Sequence, residues 1–148
     1  MTTIVIDANI IISAILNPFG AIPKIIIVGT PKTEFVIPDF ALKEVNLHKK
    51  KICKYSGISS TDFDMLLSSI SAHLITLSSD EISSKTIKTA ALLTNDIDSK
   101  DILYVALSIE LGALLWTGDK KLYNGLRKKR FASVISTQEI KHILKGFY

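Results

Sequence analysis

The chain has 148 residues, 47% of them hydrophobic and 22% charged, with a formal net charge of +4 and a pI near 9.1. Its longest apolar runs, such as "IIISAIL", fall well short of the roughly 18 residues a membrane-spanning helix needs, and no basic n-region or cleavage site of a secretory signal opens the chain. Cys53 stands alone and excludes an internal disulfide, so the expectation is a cytoplasmic protein folded as one domain over residues 1–148.

In chain order, residues 3–6 read as a first buried strand, because Ile4, Val5 and Ile6 are β-branched. A helix is expected over residues 10–16. Asp7 sits at the join, where desolvating a carboxylate is costly. It either caps the helix or serves a site. A second strand is expected at 34–37. Asp39, just after Pro38, can cap a helix running through "FALKEVNLHKKK", in which Glu44 can pair with His48 at i+4. Thr61 and Asp64 have capping-box spacing ahead of a helix with Phe63, Leu66, Leu67 and Ile70 on one face.

The third strand falls at 74–77. Residues 78–89 are rich in Ser and Thr and read as a loop leading into a helix through "IKTAALL". Asp98 and Asp101 open the helix "DILYVALSIELG", with Gly112 as its stop. This helix carries Val105, Ala106 and Ile109 on one side and Leu103 and Leu107 on another. A second buried surface of that kind suits a subunit contact, hence the expectation of a homodimer. The last two strands are placed at 114–117 and 133–135. Asp119 follows the fourth, and Ser136 and Glu139 form a capping box for the terminal helix "EIKHILKGF".

Strands that alternate with helices argue for a parallel α/β sheet covered on both faces, with its chemistry in the loops at the carboxyl ends of the strands. Asp7 and Asp119 fall there, and Glu44, Asp98 and Asp101 lie on flanking helices. Gathered at one edge, so many negative charges call for a cation. Oxygen donors suit Mg²⁺ or Mn²⁺. Each acid also has a local alternative: Asp7, Asp98, Asp101 and Asp119 as helix caps, Glu44 as an exposed helical residue, and Asn9 as a turn former.

Other chemistries find no support. The three histidines, His48, His73 and His142, show no zinc spacing, and Cys53 has no activating partner nearby in sequence. The G-x-S-x-G elbow, the P-loop and G-x-G-x-x-G are all absent. Positive charge bunches at residues 48–54, 119–122 and 127–130, where it would either attract nucleic-acid phosphates or sit as solvated helix ends.

With "VIDANIIISAIL" near one end and "DSKDILYVALSIELGALLWTGDKKL" near the other, nearly the whole chain resembles the PIN-domain family, and within it the VapC-like toxins. The resemblance implies a three-layer α/β/α sandwich on five parallel strands in the order 3-2-1-4-5. It further implies an Mg²⁺- or Mn²⁺-dependent ribonuclease that cuts single-stranded RNA, works as a homodimer and is restrained by a cognate antitoxin. Asp7, Glu44, Asp101 and Asp119 then match the family's acids. The metal would fall to Asp7, Asp101 and Asp119, with Glu44 and Asp98 as further candidates. Asn9, Ser13 and Thr117 would hold the carboxylates in place. Lys120 and Lys121 follow Asp119 where some members carry another acid. Two rival expectations remain: a PIN fold kept only to bind RNA or protein, and a small metal-dependent phosphohydrolase, against which "DAN" lacks the second acid of D-x-D.

Overall fold

The structure is a computed structural model, and it describes residues 1–144. Its elements in chain order are β1 (Thr2–Ile6), α1 (Ala8–Leu16), α2 (Ala21–Gly29), β2 (Thr33–Pro38), α3 (Ala41–Leu47), α4 (Lys49–Ser56) and α5 (Ser60–Ser71). There follow β3 (Leu74–Leu77), α6 (Ser84–Thr94), α7 (Ile102–Leu111), β4 (Leu114–Trp116), α8 (Lys120–Lys128), β5 (Val134–Ile135) and α9 (Thr137–Ile143). Short 3₁₀ turns at Ser79–Glu81 and Ser99–Asp101 precede α6 and α7.

The five strands form one parallel sheet in the order β3-β2-β1-β4-β5, as the sequence led us to expect. In register, Ile4 faces Phe35 on β2 and Leu114 on β4, and Trp116 faces Ile135 on β5. The central strand is apolar over its last three residues, where helices cover both of its faces. Ile4, Val5 and Ile6 are wholly buried, and each such side chain contributes about 1.5–3 kcal/mol relative to exposure. Phe35 and Trp116 meet in the core with ring centroids 6.3 Å apart. One group of helices forms around α1, which packs on α2, α3 and α5; in the other, α6 bridges α7 and α8.

Several local expectations are corrected. Asp39 does not cap α3: the residue before that helix, Phe40, makes no side-chain cap, and Asp39 Oδ2 instead accepts from the Ser79 amide, tying the end of β2 to the turn after β3. The helix expected through "FALKEVNLHKKK" breaks at His48 into α3 and α4. Ser59, not Thr61, caps α5 by accepting from the Asp62 amide, while Asp64 pairs with Lys49 at 2.8 Å. Helix α7, whose two apolar sides suggested a subunit contact, packs on α6 of the same chain as well as on the sheet. Gly112 does end α7, at φ 60°, and the Ser136–Glu139 capping box forms at α9. The end of the expected terminal helix, residues 145–147, lies outside the described residues.

Candidate metal and phosphodiester site

Strand order reverses between β1 and β4, and such a switch point opens a crevice at the carboxyl ends of the strands. The Asp7 amide donates to the Trp116 carbonyl at 3.3 Å, so Asp7 extends the β1–β4 ladder by one residue into that crevice. The crevice holds a cavity of about 400 Å³ whose walls include Asp7, Asn9, Glu44, Asp98, Asp101 and Asp119. These residues come from four separate stretches of chain. Only the sheet order brings them together.

Asp7 caps a helix with only one of its two oxygens. Its Oδ1 accepts from the Ile10 amide at 3.0 Å, capping α1. Its Oδ2 is buried and has no hydrogen-bond partner among the described residues. Burial pushes the carboxyl up to about 6; Thr117 and the Ile10 and Asn9 amides pull it down, and the charge of Asp119 pushes it further up. A buried carboxylate oxygen left without a donor is an energetic liability unless a ligand uses it.

Asp101 occupies the residue before α7 but makes no capping bond, so its carboxylate is not spent on the helix. Asp98 caps the preceding 3₁₀ turn instead, its Oδ1 accepting from the Lys100 amide at 3.0 Å. Desolvation raises Asp101 to about 7, and the charges of Asp7, Asp98, Asp119 and Glu44 all add to the rise. Four other carboxylates therefore act on this one. Asp119 caps α8 through Oδ1, which accepts from the Lys121 and Leu122 amides at 2.9 and 3.2 Å. Buried Thr117 holds the loop before it, its Oγ1 accepting from the Asp119 amide at 3.0 Å.

Glu44 does not pair with His48. Its Oε2 accepts from Tyr104 Oη at 2.8 Å. Tyr104 lines the cavity and is buried; the sequence reading gave it no role, although it stands three residues after Asp101 and so on the same helical face. Lys100 and His48 also reach the cavity wall without having been singled out for it. Asn9 is exposed at the wall. Ser13 is placed elsewhere, in a separate depression with Asn17, Gly20 and Thr137.

The donor set is all oxygen, with one buried oxygen unpartnered, and this fits a hard divalent cation that keeps several waters. Among the described residues no three acidic, histidine or cysteine side chains stand close enough together to hold a metal ion as they are. The acids converge on one cavity, but not on one point. Mutual repulsion favours that spacing, and a cation would need side-chain rotation to bring them together.

A family model described as a PIN domain matches residues 5–142. Among solved structures, the chain is similar to VapBC2 from Rickettsia felis bound to a DNA fragment from their promoter, at 17% identity and a TM-score of 0.64. That match covers 91% of this chain and 97% of the other. It is also similar to PAE2754 from Pyrobaculum aerophilum, at 14% identity and a TM-score of 0.70, covering 97% of this chain and 89% of the other. Curated protein sequences give no match. At such identities the structural likeness speaks to the fold alone.

Proposed function

The chain belongs to the PIN-domain family, and from that premise we propose that it is an Mg²⁺- or Mn²⁺-dependent endoribonuclease that cuts single-stranded RNA. We further propose that it is the toxin of a toxin–antitoxin pair, a reading motivated by its likeness to VapBC2. The observation that carries the nuclease reading is the buried Asp7 carboxylate, with Oδ2 unpartnered, on the wall of a cavity that also presents Glu44, Asp98, Asp101 and Asp119.

Hydrolysis of a phosphodiester builds negative charge on the nonbridging and leaving oxygens, and a wall of carboxylates alone would oppose it. A bound Mg²⁺ or Mn²⁺ would supply compensating positive charge and would acidify water. Asp7, Asp101 and Asp119 would hold that ion, with Asp98 at the edge. Glu44, fixed in orientation by the Tyr104 hydroxyl, accepts a hydrogen bond from the attacking water. Thr117 keeps the Asp119 loop in place, and the amide of Asn9 can donate to a phosphate oxygen. Lys100 offers a cationic contact to the RNA backbone at the same wall.

The test is cleavage of single-stranded RNA by the purified protein with Mg²⁺ or Mn²⁺, stopped by EDTA. Undiminished cleavage in EDTA overturns the metal mechanism. A second reading, a PIN fold that binds RNA without cutting it, is favoured by the lack of three ligand side chains already in metal-holding proximity among the described residues. It predicts RNA binding with no cleavage under any divalent ion. For the pairing, co-expression with the product of a short neighbouring reading frame should suppress the cleavage.

A further inference from the structure

A second depression adjoins the acidic cavity and shares Asn9, Ile12 and His48 with it. It lies between α1 and α4, holds about 290 Å³, and is completed by Leu16, Lys51, Ile52 and Tyr55. Its character is opposite to that of the cavity: no carboxylate lines it. Ile12, Leu16 and Ile52 make it apolar, and Tyr55 stands 77% exposed along it.

We propose that this groove is a nucleobase subsite, in which a base of single-stranded RNA next to the cleaved phosphate stacks on Tyr55 while Lys51 contacts the adjoining backbone. The proposal rests on the reading of RNA as the substrate. Three observations select RNA as the occupant. The groove is continuous with the phosphodiester cavity, so a strand with its phosphate at Asp7 must lay a neighbouring nucleotide beside that cavity. The charge is complementary: α4 carries Lys49, Lys50, Lys51 and Lys54, and among the described residues only Lys49 is paired with an acid, Asp64. The chemistry also alternates as nucleic acid requires, with cations for phosphate beside an aromatic face for a base. Lys54 Nζ lies 6.0 Å from the Tyr55 ring centroid and keeps positive charge at the stacking platform. An apolar helix of a partner protein would gain from Leu16 and Ile52 but not from three unpaired lysines, unless it were acidic.

The experiment measures binding of a fluorescein-labelled single-stranded RNA of mixed sequence, and of an abasic ribose-phosphate oligomer of equal length, in EDTA so that nothing is cut. Tyr55→Ala should weaken RNA binding by about 5- to 150-fold, the span of one lost base stack. It should leave binding of the abasic oligomer unchanged, and Tyr55→Trp should retain RNA affinity. Lys51→Ala should weaken both oligomers alike and reduce the salt dependence. Because Tyr55 is exposed, thermal melts of these variants should match the parent. Parental RNA affinity in Tyr55→Ala overturns the subsite and leaves the groove to a protein segment, while the ribonuclease reading stands. Equal losses on RNA and abasic oligomer overturn it as well, since stacking requires a base. A parent protein that binds neither oligomer overturns this subsite, while the ribonuclease reading is decided separately by the cleavage assay with Mg²⁺ or Mn²⁺.

Discussion

Tyr104 Oη donates to Glu44 Oε2 at 2.8 Å, joining α7 to α3 across 60 positions of sequence. The tyrosine is buried, with its ring edge-on to Phe40 at 5.3 Å. Burial, and then the Glu44 carboxylate, hold its hydroxyl above the ordinary tyrosine range, so it remains a neutral donor at any working pH. One hydrogen bond thereby fixes Glu44 against the helix that follows Asp101.

Tyr104→Phe tests that coupling. It keeps the ring contact and removes only the donor. Glu44 is half-buried and water can replace the lost partner, so the stability loss should be about 1 kcal/mol. The catalytic effect should be larger, about tenfold in kcat with KM little changed, because Glu44 loses orientation rather than charge. Steady-state cleavage and thermal melts measure both. A parental kcat would remove Tyr104 from the positioning of Glu44.

The alternation of strands and helices was readable from the sequence because it depends on period and composition, whereas the strand order was implied by the resemblance to the PIN-domain family. The five short apolar runs became the five strands to within a residue or so, and Gly112 and the Ser136–Glu139 box mark their helix ends as expected. The helix α2 was missed: "KIIIVG" is a β-branched run, which periodicity does not separate from a strand. At Asp7 the cap expected from the sequence is present, one oxygen capping α1, and the other oxygen stays unpartnered. No spacing rule reveals that division. The Tyr104–Glu44 bond was equally hidden, because it depends on α3 and α7 meeting at the same cavity.

Asp7→Asn should abolish cleavage while leaving the metal-free fold as stable as the parent or more so. Asparagine caps about as well as aspartate, so the Ile10 amide keeps its partner. What disappears is a buried charge that faces Asp101 and Asp119. Mn²⁺ should raise the melting temperature of the parent by preferential binding to the native state, and that of the variant much less. Should the variant cleave RNA at the parental rate, Asp7 is a cap and nothing else.

Gly112→Ala provides a structural control. Gly112 has φ 60°, and an added Cβ there meets nothing within 4 Å, so the penalty is one of backbone conformation alone. It should amount to about 1–2 kcal/mol, or a fall of roughly 2–4 °C per kcal/mol in Tm. Activity per folded molecule should be unchanged, because α7 enters the site at its opposite end. Cleavage lost in proportion greater than the folded fraction would show that the C-terminal end of α7 also shapes the site.

The pH dependence of stability separates a crowded acidic site from scattered surface acids. Asp7 and Asp101 titrate at about 6 and about 7 in the folded protein, against 3.8 for an unperturbed aspartate. Between those limits the native state binds more protons than the unfolded chain. Stability from these two groups is therefore complete below about pH 4 and is lost as pH rises through 6 to 7. For buried Asp7 the loss is on the order of 3 kcal/mol; half-buried Asp101 adds less, because solvent screens its neighbours. Asp96 and Glu139 are shifted the other way, by Lys129 and Tyr123 respectively, so their contribution changes only below the ordinary carboxylate range and stays out of this window. Denaturant titrations in EDTA from pH 5 to pH 8 should thus show the parent weakening faster than Asp7→Asn. Added Mn²⁺ should flatten the parental slope, since the cation binds the ionised carboxylates that repel one another without it. Equal slopes for parent and variant would mean that Asp7 ionises as an ordinary aspartate, and the liability on which the metal site rests would be gone.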